Sequence, residues 1–119
     1  MKNNILIKHS KNWGLSEDLV LAKAKKSLEV KKMDNVELSV IFVGKKKAKD
    51  LNIKYRHQNY IPQVLGFPMD KEKSDDGLIH LGDIVICTQK LKYEVKYQKS
   101  TLDAVLESWL IHGVENLLK

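Results

Sequence analysis

Val36, Leu38, Val40 and Phe42 alternate with Glu37, Ser39, Ile41 and Val43, a period of two that predicts a β-strand. The second face also turns apolar at Ile41 and Val43, so this strand is expected at the centre of a sheet covered on both sides. A segment of that kind excludes an all-helical fold. It also requires the rest of the chain to supply covering layers.

Helical spacing on either side supplies them. Ser16 is placed as an N-cap, with Glu17 and Asp18 in the first turn where the helix dipole favours acids. Leu21, Ala24 and Leu28 then recur on one face until Lys31 to Asn35 ends the helix. After Gly44, Lys45, Lys46 and Lys47 read as a solvated helix start rather than a phosphate site, and Ala48, Leu51 and Tyr55 mark the helix itself. Thr88 opens a third helix with Leu91 and Val95 on one side. Ser100 is the expected N-cap of a last one, whose wide apolar face carries Leu102, Val105, Leu106, Trp109, Leu110 and Leu117.

Three further strands are expected, at Asn4 to His9, Ile61 to Pro68 and Leu81 to Cys87. Met69 to Leu78 between the last two is a polar loop with a turn at Ser74 to Gly77, expected to be mobile. The reading is an α+β fold in a single domain spanning residues 1–119. It is a mixed four-stranded sheet packed with helices, the last helix central to the core. With 43% hydrophobic residues in 119, the chain can build one real core and has no room for a second.

Charge narrows the function. Lysine and arginine number 21 against 15 acids, a net charge of +6, and Arg56 is the sole arginine among them. This excludes an acidic, metal-buffering protein and favours polyanionic partners such as nucleic acid or an anionic surface, although lysines also serve solubility. Cys87 stands alone, so no internal disulfide and no paired-cysteine zinc site is possible. No apolar run suits a signal peptide or a membrane span, which points to the cytoplasm.

Three constellations could carry chemistry. Arg56 lies between Tyr55 and Tyr60 just ahead of a strand; a guanidinium holds phosphate as a planar fork, or it covers the last carbonyls of its helix. Asp83, at the mouth of a buried strand, holds adjacent backbone in place or orients a metal ligand or water, while Cys87 packs as a small hydrophobe. His112 precedes Gly113 in an apolar helix, where glycine costs about 1 kcal/mol relative to alanine, so a close approach is expected at Gly113. A second ligand on the same helix face would be Glu115 or Asn116.

Taken in order, Leu51-Asn52-Ile53-Lys54-Tyr55-Arg56, Val64-Leu65-Gly66-Phe67-Pro68, Leu81-Gly82-Asp83-Ile84-Val85-Ile86-Cys87 and His112-Gly113 resemble the YbeY family of rRNA maturation endoribonucleases. The resemblance covers essentially the whole chain. In that family a helical His-Gly-x-x-His and a third histidine in a Gly-Tyr-Asp-His turn bind a divalent metal, usually zinc. The resemblance therefore implies a metal-dependent single-strand endoribonuclease acting in rRNA processing and ribosome biogenesis, with ribosomal RNA or the small ribosomal subunit as partner. It makes Arg56 the catalytic and RNA-binding arginine, Lys54 a second RNA contact and His112 the first metal ligand.

Asn116 stands at the second histidine's position, Lys119 at that of the following glycine, and the third histidine's position is not reached. The expectation is a YbeY-like domain lacking the family's C-terminal segment, with a degenerate or truncated metal site that binds zinc weakly or not at all. Whether it is an enzyme stays open, and the alternative is a non-catalytic RNA- or ribosome-binding module on the same scaffold. A shortened chain would also leave Leu117 and Leu118 exposed.

Overall fold

The computed structural model describes residues 3–69 and 75–119. Its elements run β1 (Asn4–Lys8), α1 (Glu17–Val30), β2 (Val36–Val43), α2 (Lys45–Arg56), β3 (Val64–Pro68), β4 (Ile79–Cys87), α3 (Thr88–Tyr97) and α4 (Leu102–Leu117). The strands form one mixed sheet in the order β1-β2-β4-β3, with β1, β2 and β4 parallel and β3 antiparallel at the edge. The expected single α+β domain is thus the observed architecture.

Alternation along the strands divides the sheet into two faces. Val36, Leu38, Val40 and Phe42 of β2 enter the main core with Val20, Ala24 and Leu28 of α1 and the apolar stripe of α4. The opposite face is thinner. Leu65 and Val85 pair across β3 and β4 and point away from that core, and Ala48 is buried on α2. Phe67, one residue beyond Gly66, meets the Tyr55 ring of α2 edge-on at 5.3 Å, whereas Gly66 lies against Asn116 and Leu117 of α4. The two helices therefore cover opposite faces of β3.

A bulge in β4 aligns the core. Glu37 pairs with His80 and Leu38 with Gly82, so Leu81 is the extra residue. The inserted residue reverses the alternation, and Leu81 and Ile84, three apart, both enter the main core. Gly82 makes this possible at φ 129°, where a Cβ would lie 2.2 Å from the Phe67 carbonyl oxygen.

Several boundaries differ from the sequence reading. The N-cap of α4 is Thr101 and not Ser100: Thr101 has extended backbone and its Oγ1 accepts from Ala104 N at 3.1 Å. Ser16 caps α1 as expected, accepting from Leu19 N. β3 starts at Val64, three residues late, because Pro62 has no N–H for a ladder, and only the Gln63 carbonyl extends it by accepting from Cys87 N. β4 starts early, at Ile79, whose N–H donates to Asn35 O. On α1 the buried residue is Val20 and Leu21 is half-buried, and Tyr55 on α2 is 55% exposed rather than inward. Leu117 is fully buried, as its place on the apolar face of the last helix predicts, and Leu118 is partly so, whereas a shortened chain was expected to leave both exposed. Residues 70–74 of the predicted loop, including Ser74 of the predicted turn, lie outside the described residues.

Candidate functional site

The functional candidates gather along the seam between α4 and the edge strand β3. Ser108, His112 and Asn116 recur every four residues on α4 and so form one stripe beside that strand. His112 lines a concavity of about 490 Å³ with Ser108, Trp109, Tyr60 and Gln63. Asn116, one turn on, lines a second of about 490 Å³ with Tyr55, Arg56, Gly66, Phe67 and Lys119. The two positions expected to share a metal thus open onto neighbouring hollows.

Arg56 is the last residue of α2 and is exposed. His57 ends the helix in the left-handed region at φ 57°, donating its N–H to Ile53 O. The buried Asn52 fixes the following loop, its Nδ2 donating to Tyr60 O at 3.1 Å, and its Oδ1 has no partner among the described residues. One amide therefore ties Tyr60 of the first hollow to the helix that carries Arg56 of the second. Lys54 stands on the same last turn, its Nζ 5.1 Å from the Tyr55 ring centroid, where cations complement the helix dipole.

His112 is 66% exposed and its Nδ1 is 3.9 Å from Glu115 Oε2. Glu115 is already engaged: its Oε1 accepts from Lys31 Nζ of α1's C-cap at 2.6 Å. That hydrogen bond and the lysine's charge hold the Glu115 carboxyl below the ordinary carboxylate range, with His112 and Lys119 adding smaller contributions.

These donors can be tested against a catalytic zinc, which keeps three protein ligands and an open position. The α4 stripe offers one imidazole, one neutral amide and, beside them, a carboxylate paired with lysine. Among the described residues no three His, Cys, Asp or Glu side chains converge to hold a metal ion. His80 stands between Glu37 and Asp76, and His9 stacks on Trp13 at 3.8 Å, so neither joins His112. The residues present do not fit the metal.

Asp83 sits in the ladder between Ser39 and Phe67, and its carboxylate has no hydrogen-bond partner among the described residues. The expected hold on adjacent backbone is not seen there. Cys87 is buried, as a small hydrophobe would be. Sequence reasoning missed Ser108 and Lys31. Ser108 was legible as the residue one turn before His112, whereas Lys31 lies 84 positions from Glu115 and gave no local signal.

The sequence profile of the family described as endoribonuclease YbeY matches residues 5–118. The chain belongs to the YbeY family. It is 36% identical over 92 residues to the endoribonuclease YbeY of Cellvibrio japonicus (strain Ueda107), covering 77% of this chain and 51% of that one. With the endoribonuclease YbeY of Staphylococcus carnosus (strain TM300) it shares 32% identity over 110 residues, covering 89% of this chain and 71% of the relative. The solution structure of TM1509 from Thermotoga maritima superposes with a TM-score of 0.61 at 25% identity, covering 97% of this YbeY-family chain and 72% of the other. The chain spans about half the length of the first curated relatives it matches.

Proposed function

We propose that this chain is a ribosomal-RNA maturation factor of the cytoplasm that holds single-stranded RNA along the seam between α4 and β3. Arg56 and Lys54 contact the phosphates, on free RNA or on the small ribosomal subunit. The observation that carries the reading is the placement of the one arginine. Arg56 shares a hollow with Lys119 and with Asn116, the residue at the family's second histidine position. A guanidinium and an ammonium at the mouth of such a hollow suit a phosphodiester backbone. The donor set on α4 favours binding over cleavage, because His112 is the only imidazole it presents.

The test is fluorescence anisotropy with a labelled single strand of ribosomal RNA, with and without a chelator, beside a cleavage assay in added zinc. Binding should survive the chelator and weaken with salt. Arg56→Ala should reduce affinity several-fold and lower the salt slope by about one, as loss of one phosphate contact does. Absence of binding at low salt overturns the reading. Zinc bound one to one with cleavage of the strand would instead favour the endoribonuclease.

A further inference from the structure

The helix α3 presents a combination that neither the core nor the seam uses. Tyr93 and Tyr97, one turn apart, are 59% and 58% exposed, and their ring centroids lie 4.4 Å apart with the planes tilted by 35°. Lys96 Nζ lies 5.3 Å from the centroid of Tyr97. Lys90, Lys92 and Lys96 stand on the helix, Lys99 follows it, and Glu94 is its only acid.

Lys23, Lys26 and Lys31 set the contrast. Lys23 and Lys26 approach Glu107 of α4, and Lys31 pairs with Glu115. Among the described residues, Lys90, Lys92, Lys96 and Lys99 have no ion-pair partner. Exposed ring surface beside unpaired cations matches the two halves of a single-stranded nucleic acid, whose bases stack on aromatics while its phosphates take the charge. A duplex offers no free base faces, and an acidic peptide would meet the lysines but leave the stacking surface unused.

We propose that α3 is a second RNA-contact surface. Tyr93 and Tyr97 stack unpaired bases, and Lys90, Lys92, Lys96 and Lys99 neutralise the flanking phosphates. The inference rests on the RNA-binding reading of the seam and extends it: no residue lining the seam's two hollows belongs to α3, so a strand touching both is held at two separate places.

The experiment measures affinity of the full chain for labelled oligoadenylate and for the same backbone built from abasic nucleotides. The double variant Tyr93→Ala, Tyr97→Ala should bind oligoadenylate about tenfold more weakly, the scale of losing a base-stacking contact. It should bind the abasic strand as the parent does. Tyr93→Phe with Tyr97→Phe should retain parental affinity, since the rings remain. Both side chains are exposed, and an unchanged circular dichroism spectrum checks the fold.

Parental affinity for oligoadenylate in the double alanine variant overturns the proposal, as does an equal loss on both strands. If Arg56→Ala is weakened while the tyrosine variant is not, the seam stands and α3 falls. If the tyrosine variant alone is weakened, α3 stands and the seam reading falls. A tyrosine variant that loses affinity for ribosomal protein while binding oligoadenylate normally would make the face a protein contact and overturn the proposal.

Discussion

Helix α4 has two sides that obey different rules. Leu106, Leu110, Val114 and Leu117 on one side are fully buried, while Ser108, His112 and Asn116 on the other line open hollows. The stripes interleave on the same turns, so backbone geometry cannot distinguish them. Only what they touch differs. The packed stripe holds α4 against α1 and the sheet and therefore carries the fold, whereas on the other stripe Ser108 and His112 are exposed and Asn116 is half-buried beside Gly66. This is why the chain can belong to its family through its packing and still carry Asn116 where the resemblance places a second histidine on the same helix.

The comparison predicts the largest effect on the packed side. Leu110→Ala deletes a fully buried side chain between layers and should destabilise by about 3 kcal/mol, seen as a lowered midpoint in denaturant titration. Gly113→Ala comes next. A Cβ there would lie 2.9 Å from both Cδ1 and Cγ2 of the buried Ile84, so α4 must lift from β4. Overpacking of about 1–3 kcal/mol outweighs the gain of about 1 kcal/mol in helix propensity, and a small net loss is expected in the same titration. A Gly113→Ala variant more stable than the parent would show that the packed side yields more than its contacts imply.

Much of this contrast was legible in the sequence. The spacing of Leu102, Val105, Leu106, Trp109 and Leu110 located the packed stripe, and His112 followed by Gly113 signalled a close approach that proves to be against Ile84. The alternation in β2 and the succession of strands and helices along the chain were equally readable, because period and burial are local consequences of one face meeting a core. Other features were not. The bulge at Leu81 that brings Leu81 and Ile84 onto one face depends on register with β2, and the Lys31–Glu115 pair depends on how α1 meets α4. The hollow that His112 lines likewise depends on the placement of the loop after α2, which Asn52 fixes through the Tyr60 carbonyl.

Replacements on the exposed stripe test the other half of the comparison. His112→Ala should change stability by less than about 0.5 kcal/mol, as exposed positions do, and Asn116→His, at a half-buried position, by about 1 kcal/mol or less. Asn116→His should also bind zinc more tightly than the parent, since two imidazoles one turn apart face the same way. Titration calorimetry with zinc reads the second effect and denaturant titration the first. A large stability loss at either position would mean that the seam is part of the core.

The smallest effect lies at Glu115, which borders both sides. Its carboxyl is held low chiefly by the hydrogen bond from Lys31 and then by that lysine's charge, with His112 a lesser contributor. A group whose folded value is depressed adds stability above its ordinary value, here 4.5, and that stability is lost as pH falls through the lower folded value. The stability gap between the parent and Lys31→Met should therefore be constant at neutral pH and narrow as the solution is acidified below that ordinary value. The same series on His112→Ala should track the parent closely. If His112→Ala instead narrowed the gap as Lys31→Met does, the histidine would be the carboxylate's main partner, and Glu115 would belong to the seam. The expected outcome assigns it to the contact between α1 and α4, with His112 a lesser neighbour of the carboxylate.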